Sequence, residues 1–428
     1  MRELSGLFLL LVSLYTTLSV FSLMKRGRFS GYLYVIFIVL IFFVSHSILD
    51  TFGQIVFLDY YPEIIKTLED DTVAIVYDIY ISLFLILLVK GAKKNINNER
   101  KIIFDNIARE TGMRLYILFK KYNFIFWFIF ILPLLVTLLI GDYGYYSSYL
   151  ERYFIEDVPE SHSIIDKLVL IGVLLGGFMA VSVLYKKKMN PRSVVLPTML
   201  FIFVVEGVYF WIYGKRSIVV LFFVLYIILL SITKAISTKK LLRYVFIIFV
   251  FFISFMNFYG KGIKENIEET YVGMRVDFGR DYGLKYAIHN DLILDRNIVP
   301  YKMASFIFTG TFFLPREIWA EKPHPYAVYF TNSAFGNFGE SRMYGWGLTT
   351  SILSEAISNI GFLGLFIGPY IILYILKREV RSSNPFFKLF SILVAILLLL
   401  LEIIAFMPLF LLYLWMLLKE KKSHNFRI

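Results

Sequence analysis

Three carboxylates stand inside stretches otherwise apolar enough to cross a membrane: Asp78, Glu206 and Glu355. A charge in hydrocarbon is costly, so such a group usually pairs, lines a polar cavity or does chemistry. Glu355 has neighbours that suggest the cavity. Ser351, Glu355 and Asn359 recur at i, i+4 and i+8, which puts all three on one face of a helix. Glu206 lies mid-run in Phe203–Tyr209, where a structural hydrogen bond and a catalytic role are equally open. Asp78 lies near the end of its run, close enough to reach the interface.

Cations come next. Tyr213-Gly214-Lys215-Arg216-Ser217 reads as a tight hairpin between two apolar runs. Glycine allows close backbone approach, arginine grips a phosphate bidentately and lysine adds a point charge. The bland alternative is snorkelling to headgroups. That explains one cation more easily than two on the membrane face that is otherwise poor in cations, so the pair points to a phosphate or pyrophosphate.

The polar stretch 260–345 adds Arg316, Lys322 and Arg342 as cations, with Asp281 among its carboxylates. Its histidines, His289 and His324, titrate near neutrality. Trp319 and Tyr344 are among its flat aromatic faces. Rings that pack on sugar C–H surfaces, beside groups that bind hydroxyls and phosphates, suit a sugar-phosphate ligand. An interfacial aromatic belt accounts for only some of these rings. Glu355, Glu206, His324 and Asp281 are the candidate proton acceptors, and the sequence leaves them unordered.

Composition fixes what must position these groups. Of 428 residues, 58% are hydrophobic and 18% charged. Apolar runs of about 18 residues or more recur, each long enough for roughly 30 Å of hydrocarbon. Short alternating segments would instead mark a barrel. The expected fold is all-α and polytopic, with eleven spans near 4–24, 31–49, 73–89, 122–140, 167–185, 194–213, 218–233, 244–259, 347–376, 387–402 and 405–418. The last two are weakly separated by Glu402 and Pro408 and could form one helix. Leu4–Met24 lacks a small-residue cleavage site, so it is expected to stay as a span. One membrane domain is expected, with 260–346 as a loop subdomain.

Charge sorts the connections. Segments 25–30, 90–121, 186–193, 234–243, 377–388 and 419–428 hold 28 of the 44 Lys and Arg with five acids, which reads as the cytoplasmic side. Segments 50–72 and 141–166 hold twelve acids and two bases, and read as external. Stretch 260–346 carries ten of each sign, so span parity alone places it outside. The net charge of +12 is then mostly this bias, and nucleic acid is not an expected partner. With no cysteine, five scattered histidines, no phosphate-binding glycine loop and no His-Glu-x-x-His, neither metal nor cofactor is expected.

The order of these features resembles the Wzy-type polymerases of O-antigen and capsular polysaccharide. The matching segments are Gly214–Ser217, Pro315–Pro323 and Gly347–Gly361. The resemblance implies a GT-C-like, metal-independent glycosyltransferase in the bacterial inner membrane. Its substrates would be oligosaccharide repeat units on undecaprenyl pyrophosphate, joined on the outer face. Membrane lipids, a chain-length regulator and a flippase are the partners it implies. Lys215 and Arg216, with Arg316, Lys322 or Arg342, would steady the pyrophosphate, and Asn359, Trp319 and Tyr344 are further candidates for binding the substrate. The family usually has more spans, often with its N-terminus inside, whereas the charge pattern here puts it outside. An O-antigen ligase would share these features, while a flippase would be expected to show paired halves.

Overall fold

The computed structural model describes residues 1–26, 30–94 without 54 and 60, 110, 112–140, 146, 160–213, most of 216–247, 271, 272, 275, 278–341, 348–382 and 384–425. These form helices and turns, with no strand among them. In chain order the helices are α1 (Arg2–Lys25), α2 (Gly31–Phe52), α3 (Pro62–Glu69), α4 (Asp71–Lys94), α5 (Asn123–Ile140), α6 (Glu160–Met189), α7 (Leu196–Tyr213) and α8 (Arg216–Thr233). They continue with α9 (Asp281–Ala287), α10 (Ala304–Gly310), α11 (Tyr326–Ala334), α12 (Ile352–Ile360), α13 (Gly364–Arg381), α14 (Pro385–Leu400) and α15 (Met407–Asn425). Eight helical stretches among the described residues are long and apolar enough to cross a membrane. The chain divides into two compact units, one of residues 1–97 with 260–428 and the other of 98–259.

In the first unit, side-chain pairs fix the direction of each helix. Arg2 meets Asp71, Ser5 meets Asp78 and Lys93 meets Tyr15, so α1 and α4 run parallel. Thr51 packs on Gly6, and Tyr32 on Gly91, so α2 is antiparallel to both. Asp78 is enclosed by the helices around it. Its carboxylate is fully buried and accepts hydrogen bonds from Ser5 at 2.8 Å and Ser47 at 3.0 Å, which joins three helices.

The expected span 347–376 is two elements. Helix α12 has nine residues and ends at Gly361, whose φ of 61° lies in the left-handed region that glycine enters without a Cβ clash. The chain then folds back. A Cβ at Gly364 would lie 2.3 Å from the Ala356 carbonyl oxygen, and one at Gly368 would lie 3.1 Å from Leu353. In one continuous helix these pairs would be roughly 12 and 22 Å apart. The glycines therefore pack α13 antiparallel against α12 of the same chain. Nine residues rise about 13 Å, less than half of the hydrocarbon thickness, so α12 alone is too short to cross a bilayer. Gly364→Ala is expected to destabilise the protein by roughly 2 kcal/mol or more, because backbone atoms, not a mobile side chain, occupy the space. Thermal unfolding in detergent measures this, and an unchanged midpoint would mean the hairpin can open without cost.

The last two predicted spans are also a hairpin. Leu401 and Glu402 interrupt the helix, Phe387 stacks on Tyr413 with ring centroids 5.6 Å apart, and Ser382 donates to Glu420. Together α14 and α15 are antiparallel, which settles 387–418 as two helices. Their free ends join the basic end of the bundle, where Lys388 lies 3.8 Å from Glu379 and Gly31 N–H donates to Glu379 at 3.2 Å.

The described part of 260–346 does not stand apart from this bundle. Arg280 N–H donates to the carbonyl of Phe42, in the π-helical middle of α2, and Arg280 Nε donates to the carbonyl of Leu400. All of α9 is buried. The polar loop is folded down between the apolar helices.

In the second unit, α6 packs against α5, α7 and α8. Its Gly172 and Gly176 leave room for Tyr209 and Glu206 of α7. The expected span 244–259 lies largely outside the described residues.

Candidate functional site

Helix α12 and the segments around it hold a cluster of buried polar side chains in the first unit. The helix starts at a capping box: Ser351 Oγ accepts from Ser354 N–H, and Ser354 Oγ accepts from Ser351 N–H. Such a box satisfies amide groups that no intrahelical carbonyl can reach. Ser351, Ser354, Glu355, Ser358 and Asn359 are each 1% exposed or less. The polar face expected from i, i+4 spacing exists, and Ser354 and Ser358 carry polarity round the helix to a second side.

On the first side, Ser305 Oγ donates to Glu355 Oε1 at 2.8 Å, and Asn359 Nδ2 donates to Ser305 Oγ at 2.7 Å. Asn359 also accepts from Ser305 N–H at 3.2 Å, and its carbonyl accepts from Met303 N–H at 3.0 Å. Met303 has a φ of 71°, the left-handed turn that admits α10 at this spot. These bonds fix one carboxylate oxygen of Glu355. The other, Oε2, is buried and has no hydrogen-bond partner.

On the second side, Ser358 Oγ donates to Asp291 Oδ2 at 2.6 Å and lies 2.9 Å from the Tyr326 hydroxyl. Ile298 N–H donates to Asp291 Oδ1 at 3.3 Å. Burial pushes the Asp291 carboxyl up to about 6, against the opposing pull of the Ser358 hydrogen bond. A raised carboxyl favours the protonated form in the folded state. Its stabilising contribution is complete below the ordinary value of 3.8 and is lost as pH rises through about 6. Asp291→Asn should therefore be more stable than the parent at pH 7.5 by roughly 2 kcal/mol, a difference that shrinks toward pH 4. Unfolding midpoints at the two pH values test this. The same shift at both would show that the carboxyl is not held protonated.

Asp281 sits in a different setting. Arg275 donates to Asp50 Oδ1 at 2.5 Å and to Asp50 Oδ2 at 2.7 Å, and also to Asp281 Oδ2 at 2.9 Å. Lys285 Nζ lies 3.0 Å from Asp50 and 3.3 Å from Asp281. All four side chains are 2% exposed or less. Burial alone would raise the Asp281 carboxyl, but Arg275 and Lys285 together outweigh it and hold the group at about 2. A carboxylate held so low is a weak base at neutral pH.

Arg316, Lys322 and His324 form one local loop. Arg316 donates to the carbonyls of Lys322 and Pro323 at 2.7 and 3.0 Å. Lys322 Nζ donates to the carbonyls of Phe312 and Leu314 at 3.1 and 2.8 Å, and lies 4.8 Å over the Phe308 ring. Lys322 is buried and holds the loop together, while Arg316 is exposed and keeps donors to spare. Trp319 is half-buried in the same loop, its carbonyl accepting from Lys322 N–H at 3.1 Å. The His324 ring stands edge-on to Tyr329, and burial, helped by Arg316, lowers its titration.

Glu206 belongs to the other unit. It is fully buried beside Gly176 and Phe130, and neither carboxylate oxygen has a hydrogen-bond partner. Lys215, Arg342 and Tyr344 lie outside the described residues, as does the side chain of Arg216. The structure thus brings Glu355 and Asn359 together and packs α9, which carries Asp281, against α12. Sequence reasoning missed Ser305, whose only signal was polarity inside a polar loop, and gave Asp291 only as one of that loop's carboxylates. Among the described residues no three His, Asp or Glu side chains converge as metal ligands. No family model matches the chain, and no curated protein or solved structure was found to be similar to it.

Proposed function

We propose that this chain is a membrane-embedded glycosyltransferase that joins lipid-pyrophosphate-linked oligosaccharides into a polymer, a Wzy-type reading. It would work in the bacterial plasma membrane, with the polar stretch 260–346 on the outer face and a GT-C-like arrangement of about eleven spans. The motif order Gly214–Ser217, Pro315–Pro323 and Gly347–Gly361 supports the reading. The observation that carries it is Glu355. A buried carboxylate is held by Ser305 on one oxygen, left unpartnered on the other, and mounted on a short helix packed against the described part of the polar stretch. That is what a general base for a sugar hydroxyl requires, provided the acceptor reaches Oε2.

In the proposed step the acceptor hydroxyl oxygen attacks the anomeric carbon of the growing chain. The new C–O bond forms as the bond to the lipid pyrophosphate breaks. The hydroxyl proton passes to Glu355, and the pyrophosphate leaves with its charge met by cations, for which Arg216 and Lys215 are the candidates the sequence offers. Arg216→Ala is expected to abolish elongation while the protein stays in the membrane, and normal polymer lengths would remove Arg216 from this role.

Purified protein incubated with a lipid-linked repeat unit should yield a ladder of chain lengths. No ladder from folded protein with its cognate substrate would sink the polymerase reading. A ligase would instead transfer finished polymer to a different acceptor, and its loss would leave full-length lipid-linked polymer. A flippase would move the lipid-linked unit without joining it.

A further inference from the structure

At the basic end of the first unit, α1 and α4 leave a groove of ≈ 530 Å³ between them. Lys93 of α4 lines it. The other lining residues, Tyr15, Leu18, Ser19, Ser22, Leu23 and Arg26, follow one stripe of α1 at helical spacing. Ser19 and Leu23 are buried and form the floor, while Tyr15, Leu18, Ser22, Arg26 and Lys93 stand open at the rim. Among the described residues no acidic side chain lines it.

We propose that this groove binds the headgroup of an anionic phospholipid, its phosphate between Arg26 and Lys93. Lys93 is not a free snorkelling cation. Its Nζ donates to the Tyr15 hydroxyl at 2.8 Å and lies 4.8 Å over the Tyr15 ring. That contact fixes the ammonium at the groove and leaves N–H donors for a ligand. Arg26 contributes a planar fork suited to phosphate oxygens, and the Ser22 hydroxyl adds a neutral donor. Below the headgroup, Leu18, Leu14 and Leu11 continue along α1 at spacings of four and three and are 69%, 53% and 64% exposed, an apolar track for an acyl chain. A zwitterionic lipid would bring a cationic group against the same two cations, so net negative charge is the selecting feature. The site lies at the opposite end of α1 from the Arg2 and Asp71 contact and shares no residue with the cluster around Glu355.

Purified protein can be titrated with phosphatidylglycerol or phosphatidylcholine and the retained lipid counted by native mass spectrometry. Wild type should retain phosphatidylglycerol preferentially. Removing two cations that each attract an anionic headgroup, in R26Q/K93Q, should weaken that retention roughly thirtyfold. K94Q removes an equally terminal charge that does not line the groove, and should leave retention unchanged. R26K/K93R keeps both charges and should keep the preference. If the double glutamine variant does not fold, R26Q and K93Q singly should each show a partial loss. Equal retention of the two lipids by wild type would overturn the proposal. So would a loss in K94Q as large as in R26Q or K93Q, or unchanged phosphatidylglycerol retention in folded glutamine variants. The readout needs no lipid-linked sugar, so it stands or falls apart from the polymerase reading.

Discussion

A Glu355→Gln protein should reach the membrane folded and lose chain elongation by roughly a hundredfold to ten-thousandfold, the range associated with a positioned proton acceptor. The substitution is close to isosteric. The glutamine carbonyl still accepts from Ser305, so the 2.8 Å bond and its link to Asn359 can survive. What disappears is the oxygen that can take a proton. Of the four candidate bases, Asp281 is tied to Arg275 and Lys285. Glu206 and His324 stay as rivals, the second with its ring against Tyr329. The length distribution of the polymer, read beside an unfolding midpoint, separates the cases. Normal lengths in folded E355Q would make Glu355 structural and turn attention to His324→Ala. Ser305→Ala gives a graded companion, because it removes the orienting bond and leaves the base. It should lower elongation less than E355Q does.

Hydropathy and helical spacing made the apolar helices legible, because each must be long and greasy to satisfy the bilayer. The same reasoning put Ser351, Glu355 and Asn359 on one buried face. Hydropathy has no access to direction, however. A run broken at Gly361 reads the same whether the chain continues across or folds back, so 347–376 looked like one span. The clue was present in Gly364 and Gly368, which read as a close-packing pair. Sequence could not say that the partner was α12 itself. The Glu402 break was weaker still, yet it marks a real hairpin, because Glu402 accepts from Ala327 N–H at 3.0 Å and so joins the turn to α11. Arg316 and Lys322 showed as cations, but not that carbonyls of their own loop would occupy them. Asp50 had no visible link to Arg275, which lies 225 positions away. Pairing over such a distance leaves no local pattern.

That pairing yields the largest expected effect on stability. Arg275→Met should cost about 3–5 kcal/mol, because it leaves Asp50 and Asp281 facing Lys285 alone in a site closed to water. The four side chains carry two charges of each sign, so the intact cluster is balanced, and removing one cation leaves a buried net negative charge. The loss would also unfasten the polar loop from the bundle, since Asp50 belongs to α2 and Asp281 and Lys285 to α9. Balance can be restored without restoring the arginine. In R275M/D281N one charge of each sign remains, Asp50 against Lys285 at 3.0 Å. The double variant should then be more stable than the sum of the two single losses predicts, by about 1 kcal/mol or more. Unfolding midpoints of the four proteins in one detergent make the cycle. Strict additivity would show that the charges act independently and that the loop is fastened elsewhere. Acid supplies a second handle with its own sign. Asp281 is held at about 2, so its contribution is complete above the ordinary value of 3.8 and is lost only as pH falls through about 2. Acidification from pH 7 to pH 5 should leave this cluster's contribution intact, while Asp291, held near 6, moves the other way over the same interval. Any loss of stability between pH 7 and pH 5 that D281N abolishes would contradict the assignment of Asp281 to a tight ion pair.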